Sequence, residues 1–392
     1  GSLALSTTGS TGDATIVNAT ALTLAASTVG GTLDAIATTG DLTFNGLVTA
    51  GGGYYITANL GDVVFATDGS VTGGATSSIE ATAGSIANTG SSVAITMETT
   101  GSGSNLTLTA ANDSMQSTNA MTVVSGGELT VNAPLDNTSS TTTLSSADNL
   151  TINENITDAT AISAHSGTDG TGEVTFGAGV SLDAPIVTLQ AGDGFGGNDT
   201  TAQVDILTNT PTVAANSSLT VKQDGQMGND VIPWNPNVTN NATIDLNLQS
   251  DDSSIYTTEA DSWKSITATA EKNIELQGNG NININSAGIS STFGGVKIVS
   301  NGGIISTPGA GGMLDSPITG YSDDSADVGV NWLLGVKKAA IVILSLDELK
   351  LGANAILTAK GSYNPSVDDR SNFLFNILGE QPGEPIDVAI YL

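Results

Sequence analysis

A four-residue module sets the limits on what this chain can fold into. It consists of a polar or small residue, Leu or Val, Thr, and a large apolar residue. It appears as Ala21-Leu22-Thr23-Leu24 and Asp41-Leu42-Thr43-Phe44, then as Asn105-Leu106-Thr107-Leu108 and Glu128-Leu129-Thr130-Val131. Asn149-Leu150-Thr151-Ile152 and Glu173-Val174-Thr175-Phe176 follow, and degenerate copies at Asp62-Val63-Val64-Phe65 and Ser85-Ile86-Ala87-Asn88 fill the gap. The eight copies start at 21, 41, 62, 85, 105, 128, 149 and 173, a nearly constant spacing. A repeat of that length marks a solenoid, and its internal alternation marks a strand. In a strand, residues i and i+2 share a face, so Leu106 and Leu108 are expected to point inward and Thr107 outward.

Further alternating runs lie between the modules, among them Thr32–Ala37, Tyr55–Ala58 and Val93–Met97, bounded by Gly, Asn and Ser. A hairpin would return its partner strand within a few residues across a tight turn. Here the equivalent strand returns about one repeat later, in the same direction. The expected fold is therefore all-β: a right-handed parallel β-helix with about 20–24 residues per rung and two or three short strands in each. Residues 1–304 read as this rod, with excursions near 193–199 and 226–241. In the second excursion, Pro233 and Pro236 cannot join a central ladder, which marks a protruding loop. Residues 305–392 read as a continuation or a less regular C-terminal β-rich cap. Within them, Asp347–Leu351 suggests one helical turn.

Composition narrows the functional classes. The net charge is −30, from 39 acids against 9 bases, and residues 1–221 contain no Lys or Arg. Phosphate binding needs clustered bases, so nucleic acid and anionic membrane surfaces are disfavoured partners. Cations, neutral glycans and basic proteins are favoured. Without Cys there is no disulfide, thiolate metal site or thiol nucleophile. No apolar run of eighteen residues occurs, so insertion of this sequence in a membrane as a helix is not expected. Gly1-Ser2 has the form of a cleavage remnant, which suggests a piece of a longer chain that continues end to end.

Few side chains suggest chemistry. His165 is the only histidine; it rules out a histidine metal cluster and reads as a solvated turn residue. Enzymes that cut polysaccharides on such scaffolds need carboxylates on neighbouring rungs. The adjacent pairs Asp251-Asp252, Asp323-Asp324 and Asp368-Asp369 would point to opposite faces if they lay in strands. No catalytic residue and no cofactor is expected. A structural calcium ion is the one metal to consider, with Asp193, Asp199, Asp251, Asp252, Asp323 and Asp324 as hard oxygen donors. Trp234, Tyr54 and Tyr55 are candidates for a glycan-stacking surface, with Trp263, Trp332 and Tyr256 beside them. The Thr positions 23, 43, 107, 130, 151 and 175 suggest a hydroxyl array such as ice recognition needs. Val64 and Ala87 interrupt it. The sequons at Asn105, Asn149, Asn155 and Asn237 read as chance matches in a chain rich in Asn and Thr.

The texture of Ala21–Ser27 followed by Gly40-Asp41-Leu42-Thr43-Phe44-Asn45-Gly46 resembles the repeats of filamentous haemagglutinin-like bacterial exoproteins, the passengers of two-partner secretion. The likeness covers most of residues 14–300. It implies a non-enzymatic adhesin or structural stalk, secreted and held at the bacterial cell surface, that attaches through glycans or host or neighbour-cell surface molecules. Two other readings use the same scaffold: a polysaccharide-active enzyme, and a purely structural sheath or matrix protein.

Overall fold

The structure is a computed structural model. It describes residues 1–66, 68–88, 95–111, 115–117, 120–167, 172–191, 212–223, 241–250, 254–257, 259–271, 273–293, 295–322, 341–345, 351–353, 355–361 and 390–391. Among these, all regular structure is strand except two single 3₁₀ turns, Asn241–Thr243 and Ala260–Ser262. The strands pair in parallel and stack as a β-solenoid, as the repeat requires. The described residues fall into two compact units, one up to Ser217 and one from Ser218 onward.

In the first unit, one sheet stacks eight strands: Ala14–Asn18, Leu33–Ala37, Tyr54–Ala58, Ser77–Ala81, Leu106–Ala110, Leu129–Asn132, Leu150–Ile152 and Val174–Phe176. Their register aligns Ile16, Ala35, Ile56, Ile79, Leu108, Val131, Ile152 and Phe176 in one inward column. From Ala35 upward that column is buried. Each rung therefore hides its apolar side chains against copies above and below, and hydrophobic stabilisation is spread along the axis. The steps along this column are uneven: the shortest runs from Ile16 to Ala35 and the longest from Ile79 to Leu108. The expected range of rung lengths is thus too narrow at both ends, because turns between strands lose or absorb residues without disturbing the ladder.

The rest of each turn begins as one long bent strand. Leu22–Val29 pairs with Leu42–Ala50, with a register shift between Ala25 and Ser27. Opposite the shift, Gly46 has φ +134°, and a Cβ there would sit 2.8 Å from the Ala26 nitrogen, so the bend needs glycine. One turn later the long strand has become two. Val63–Phe65 pairs with the first half of Leu42–Ala50, and Ser70–Gly73 pairs with the second half. The rings of Phe44 and Phe65 stack across that step with centroids 4.9 Å apart. Later turns keep three separate strands, such as Leu129–Asn132, Leu135–Asn137 and Thr141–Ser146.

This three-sided rung corrects the reading of the module. Its eight copies do not form one column. Leu22, Leu42, Val63 and Ile86 stack in one sheet, whereas Leu106, Leu129, Leu150 and Val174 stack in another. The threonines divide the same way: Thr23 and Thr43 continue into Val64 and Ala87, and Thr107, Thr130, Thr151 and Thr175 form an uninterrupted file above Ser78. Val64 and Ala87 therefore interrupt a different face. The second outward file on the Thr107 sheet carries Thr109 and Asn132, so the hydroxyl array is one column wide there.

The polar residue that opens the module has a structural task that its sequence did not reveal. Asp41 Oδ1 accepts the Asp62 backbone N–H at 3.0 Å, and Asp62 Oδ1 accepts that of Ser85 at 2.8 Å. Asn105 does the same for Glu128 at 2.8 Å, Asn149 for Glu173 at 3.0 Å, and Asn155 for Ser181 at 2.8 Å. Each is a bracket from one rung to the next at a turn, where the strand ladder has ended and a backbone donor would otherwise lack a partner. The sequons at Asn105, Asn149 and Asn155 are explained by this geometry: a bracket Asn, an inward apolar residue, then an outward Thr. Asn149→Ala should lower stability by about 1 kcal/mol, the net worth of a hydrogen bond, measured as a small shift of the thermal midpoint.

A second polar device fills a corner. Asp158, only 3% exposed, accepts the N–H groups of Thr160 at 2.7 Å and Ala161 at 2.8 Å through Oδ1. Its Oδ2 accepts the buried Thr142 hydroxyl at 2.8 Å. One rung earlier, in register, Asn137 caps the same corner by accepting the N–H groups of Ser139 and Ser140. Stacked Asx turns of this kind let the chain turn sharply inside the protein without leaving donors unpaired.

The second unit stacks Ser218–Gln223, Asp245–Ser250, Ser265–Ala270, Ile282–Ser291, Pro317–Ser322 and Ile356–Gly361 in order. A side sheet adds Ile255–Thr257, Ile274–Gly278, Val296–Ser300, Ile341–Ser345 and Ile390–Tyr391. The step from Leu246 to Ile266 resembles those of the first unit, but the step from Ile318 to Leu357 is nearly twice as long. The described strands after 305 thus keep their register although more residues lie between them. Pro317 opens its strand, a position where a missing N–H costs the ladder little. Asn281, just before the strand Ile282–Ser291, is a bracket like those of the first unit: its Oδ1 accepts the Ile304 N–H at 3.0 Å, and Asn273 Oδ1 accepts that of Gly295 at 2.8 Å. The expected helical turn near Asp347 lies outside the described residues.

Candidate binding surface

Of the residues singled out for binding, the structure separates the two adjacent tyrosines. Tyr54 and Tyr55 belong to one strand and so face opposite ways. Tyr54 is fully buried, and its hydroxyl donates to the Glu98 carbonyl at 3.3 Å. Burial pushes its phenol pKa far up, and the Glu98 charge adds to that; the hydrogen bond to the Glu98 carbonyl opposes both. Tyr54 is therefore a core residue and is withdrawn from any ligand-facing role. Tyr55 is 44% exposed on the outward face. Trp263, an aromatic considered for stacking, is buried and is likewise withdrawn. Trp234, Trp332 and the calcium candidates Asp193, Asp199, Asp251, Asp252, Asp323 and Asp324 lie outside the described residues. Among the described residues, no three acids or histidines converge as metal ligands.

His165 is the last residue of the strand Ala161–His165 and is half-buried, so it is a strand residue and not the solvated turn residue that the sequence suggested. Its file on the outward face runs from Ser145 through His165 to Gln190, without a carboxylate in register beside it.

Two of the bases missing from the first part of the chain, Lys264 and Lys297, are rung-to-rung partners among the described residues of the second unit. Lys264 reaches Asp245 at 2.7 Å, and the Ser265 hydroxyl donates to the same carboxylate. Partial burial would raise the Asp245 pKa, but hydrogen bonds from Lys264 and Ser265 and the Lys264 charge outweigh it and hold the group below its ordinary value. A carboxylate with a depressed folded pKa stabilises above its unfolded value, and that contribution fades as pH falls through the folded one. Lys264→Met should therefore lower the thermal midpoint at pH 7, with the gap from the parent chain closing as pH falls below about 4. Tyr256, Glu275 and Lys297 occupy successive rungs of the side sheet in register, with Lys297 buried and ion-paired to Glu275. Burial, and then the Glu275 charge, raise the Tyr256 phenol pKa.

What the sequence did not single out is the company Tyr55 keeps. In its file, register places Thr15 and Asp34 on the rungs before it and Ser78 on the next. In the adjoining outward file, Val17, Ile36, Thr57 and Glu80 follow one another. Val17 is 65% exposed, and Ile36 is half-buried. Farther along the same sheet the outward positions are Thr107, Thr109, Thr130, Asn132, Thr151 and Thr175. One face thus carries an apolar and acidic patch followed by a neutral hydroxyl and amide stretch. Alternation in the sequence announces that these positions face outward, but which of them are neighbours depends on register.

Compared with protein-family models, curated proteins and solved structures, the chain matches none. No helix of the described residues is long and apolar enough to cross a membrane.

Proposed function

We propose that this chain is a non-enzymatic segment of a bacterial surface exoprotein, an adhesin or stalk that holds a binding surface away from the cell. The observation that carries this reading is the division of labour across each rung. Large apolar side chains fill the inward columns, bracket residues tie successive turns, and the outward face from Leu106 to Phe176 bears files of Thr and Asn. Such a rung can be repeated without limit, and its outward residues can vary without disturbing the stack, which suits a spacer that presents a local surface. The resemblance of the Leu-Thr-Phe repeats to filamentous haemagglutinin-like exoproteins agrees with an extracellular place for it.

The test is a glycan and cell-surface binding panel run alongside a polysaccharide-degradation screen on the purified chain. Binding without release of sugar products supports the adhesin, and neither binding nor release supports the stalk. Release of reducing ends would overturn the reading in favour of an enzyme on the same scaffold.

A further inference from the structure

We infer that the patch around Tyr55 is a docking surface for a basic peptide segment of a partner protein, bound through its Lys or Arg side chains. This rests on the attachment reading and gives it a place and a chemistry.

Three features converge on that ligand. First, the aromatic ring and two aliphatic side chains are clustered. Tyr55, Ile36 and Val17 occupy three consecutive rungs in adjoining outward files. Strands stack about 4.8 Å apart, so these side chains form one surface. Second, carboxylates flank it. Asp34 is in register directly beside Tyr55, and Glu80 lies beyond Thr57, its Oε1 held by the Thr82 hydroxyl at 3.0 Å. Third, residues 1–221 contain 19 acids and no Lys or Arg, so the sequence around the patch supplies no base for those carboxylates.

One kind of side chain satisfies all three. The methylene stem of Lys or Arg covers aliphatic surface while its head stays polar, and the cation is attracted both to an aromatic face and to a carboxylate. The negative field of the chain would also speed the approach of a basic partner and repel a second copy of this acidic chain. A neutral sugar would use the Tyr55 ring but would gain little from Val17 and Ile36.

The experiment measures binding of a fluorescent peptide of alternating Lys and Ala to the purified full chain by anisotropy at 0.15 M salt. Its comparators are spermine, a cation without a peptide, and a neutral N-acetylglucosamine oligomer. Tyr55→Ala leaves the net charge unchanged and removes an exposed side chain, so an unchanged thermal midpoint confirms folding. It should weaken peptide binding about tenfold, a loss on the scale of one desolvated cation–π contact. Asp34→Asn with Glu80→Gln should weaken it further, whereas Thr130→Ala on the same sheet should have no effect. Equal binding by the parent chain and Tyr55→Ala would overturn the inference, since it would show attraction by net charge alone. So would tighter binding of the N-acetylglucosamine oligomer than of the peptide, which would make the patch a glycan site. Peptide binding is read without cells, so a failure here paired with retained cell binding rejects the patch and not the adhesin.

Discussion

Leu106→Asp should destroy the cooperative melting of the first unit, whereas Thr107→Ser, one residue away, should leave it almost unchanged. Leu106 is fully buried between Ser77 and Leu129 in the inward column, where a carboxylate would have neither water nor a cation. Burying an unpaired charge costs more than about 4 kcal/mol, enough to exceed what a few rungs contribute by stacking. Stability in a solenoid is close to a sum over neighbouring repeats, so damage should spread from the substituted rung to those on either side. Limited proteolysis should then open sites between about residues 80 and 150, with circular dichroism showing a lost or broadened transition. Thr107 points outward in a file of threonines, and serine keeps its hydroxyl there. Equal tolerance of both substitutions would refute the inward and outward assignment.

Asp158→Ala should be the most damaging change at a polar residue, lowering stability by about 3–5 kcal/mol. The substitution removes a buried acceptor from two N–H groups and one hydroxyl at once, and water cannot easily replace it at a site 3% exposed. Asp158→Asn keeps the side-chain carbonyl and a similar shape, so it should recover part of the loss. Asn already performs this task one rung earlier, at Asn137. Chemical denaturation of the three proteins would give the order parent, Asn, Ala. An Ala variant as stable as the parent would mean that the corner has another source of acceptors.

The parallel strand stack and the inward and outward faces were legible because alternation and a fixed period are local properties of the sequence. Which sheet each copy belongs to was not legible. Leu42-Thr43-Phe44 and Leu129-Thr130-Val131 show the same apolar, outward, apolar order in different sheets, since every side of a three-sided rung imposes the same alternation. The long step from Ile79 to Leu108 is where the module changes sheets, and a count of motif starts passes over it. Tyr54 and Tyr55 had equal claims as aromatics until the strand placed one in the core and the other in solvent. Val17, Ile36 and Glu80 gave no signal of a shared surface, because their nearness is a matter of register between strands far apart in the sequence.

The bracket asparagines carry a consequence for producing the protein in a eukaryotic secretory pathway. Asn105, Asn149 and Asn155 each present the acceptor triplet for N-linked glycans, and their carboxamides are the groups that hold the next rung. A glycosyltransferase meeting the chain before it folds would attach the sugar to Nδ2, the neighbour of the Oδ1 that accepts the bracket hydrogen bond. Each added sugar would thus act as a wedge between successive rungs. Material made in such a host should be heavier and less stable than the same chain made where these triplets have no reader.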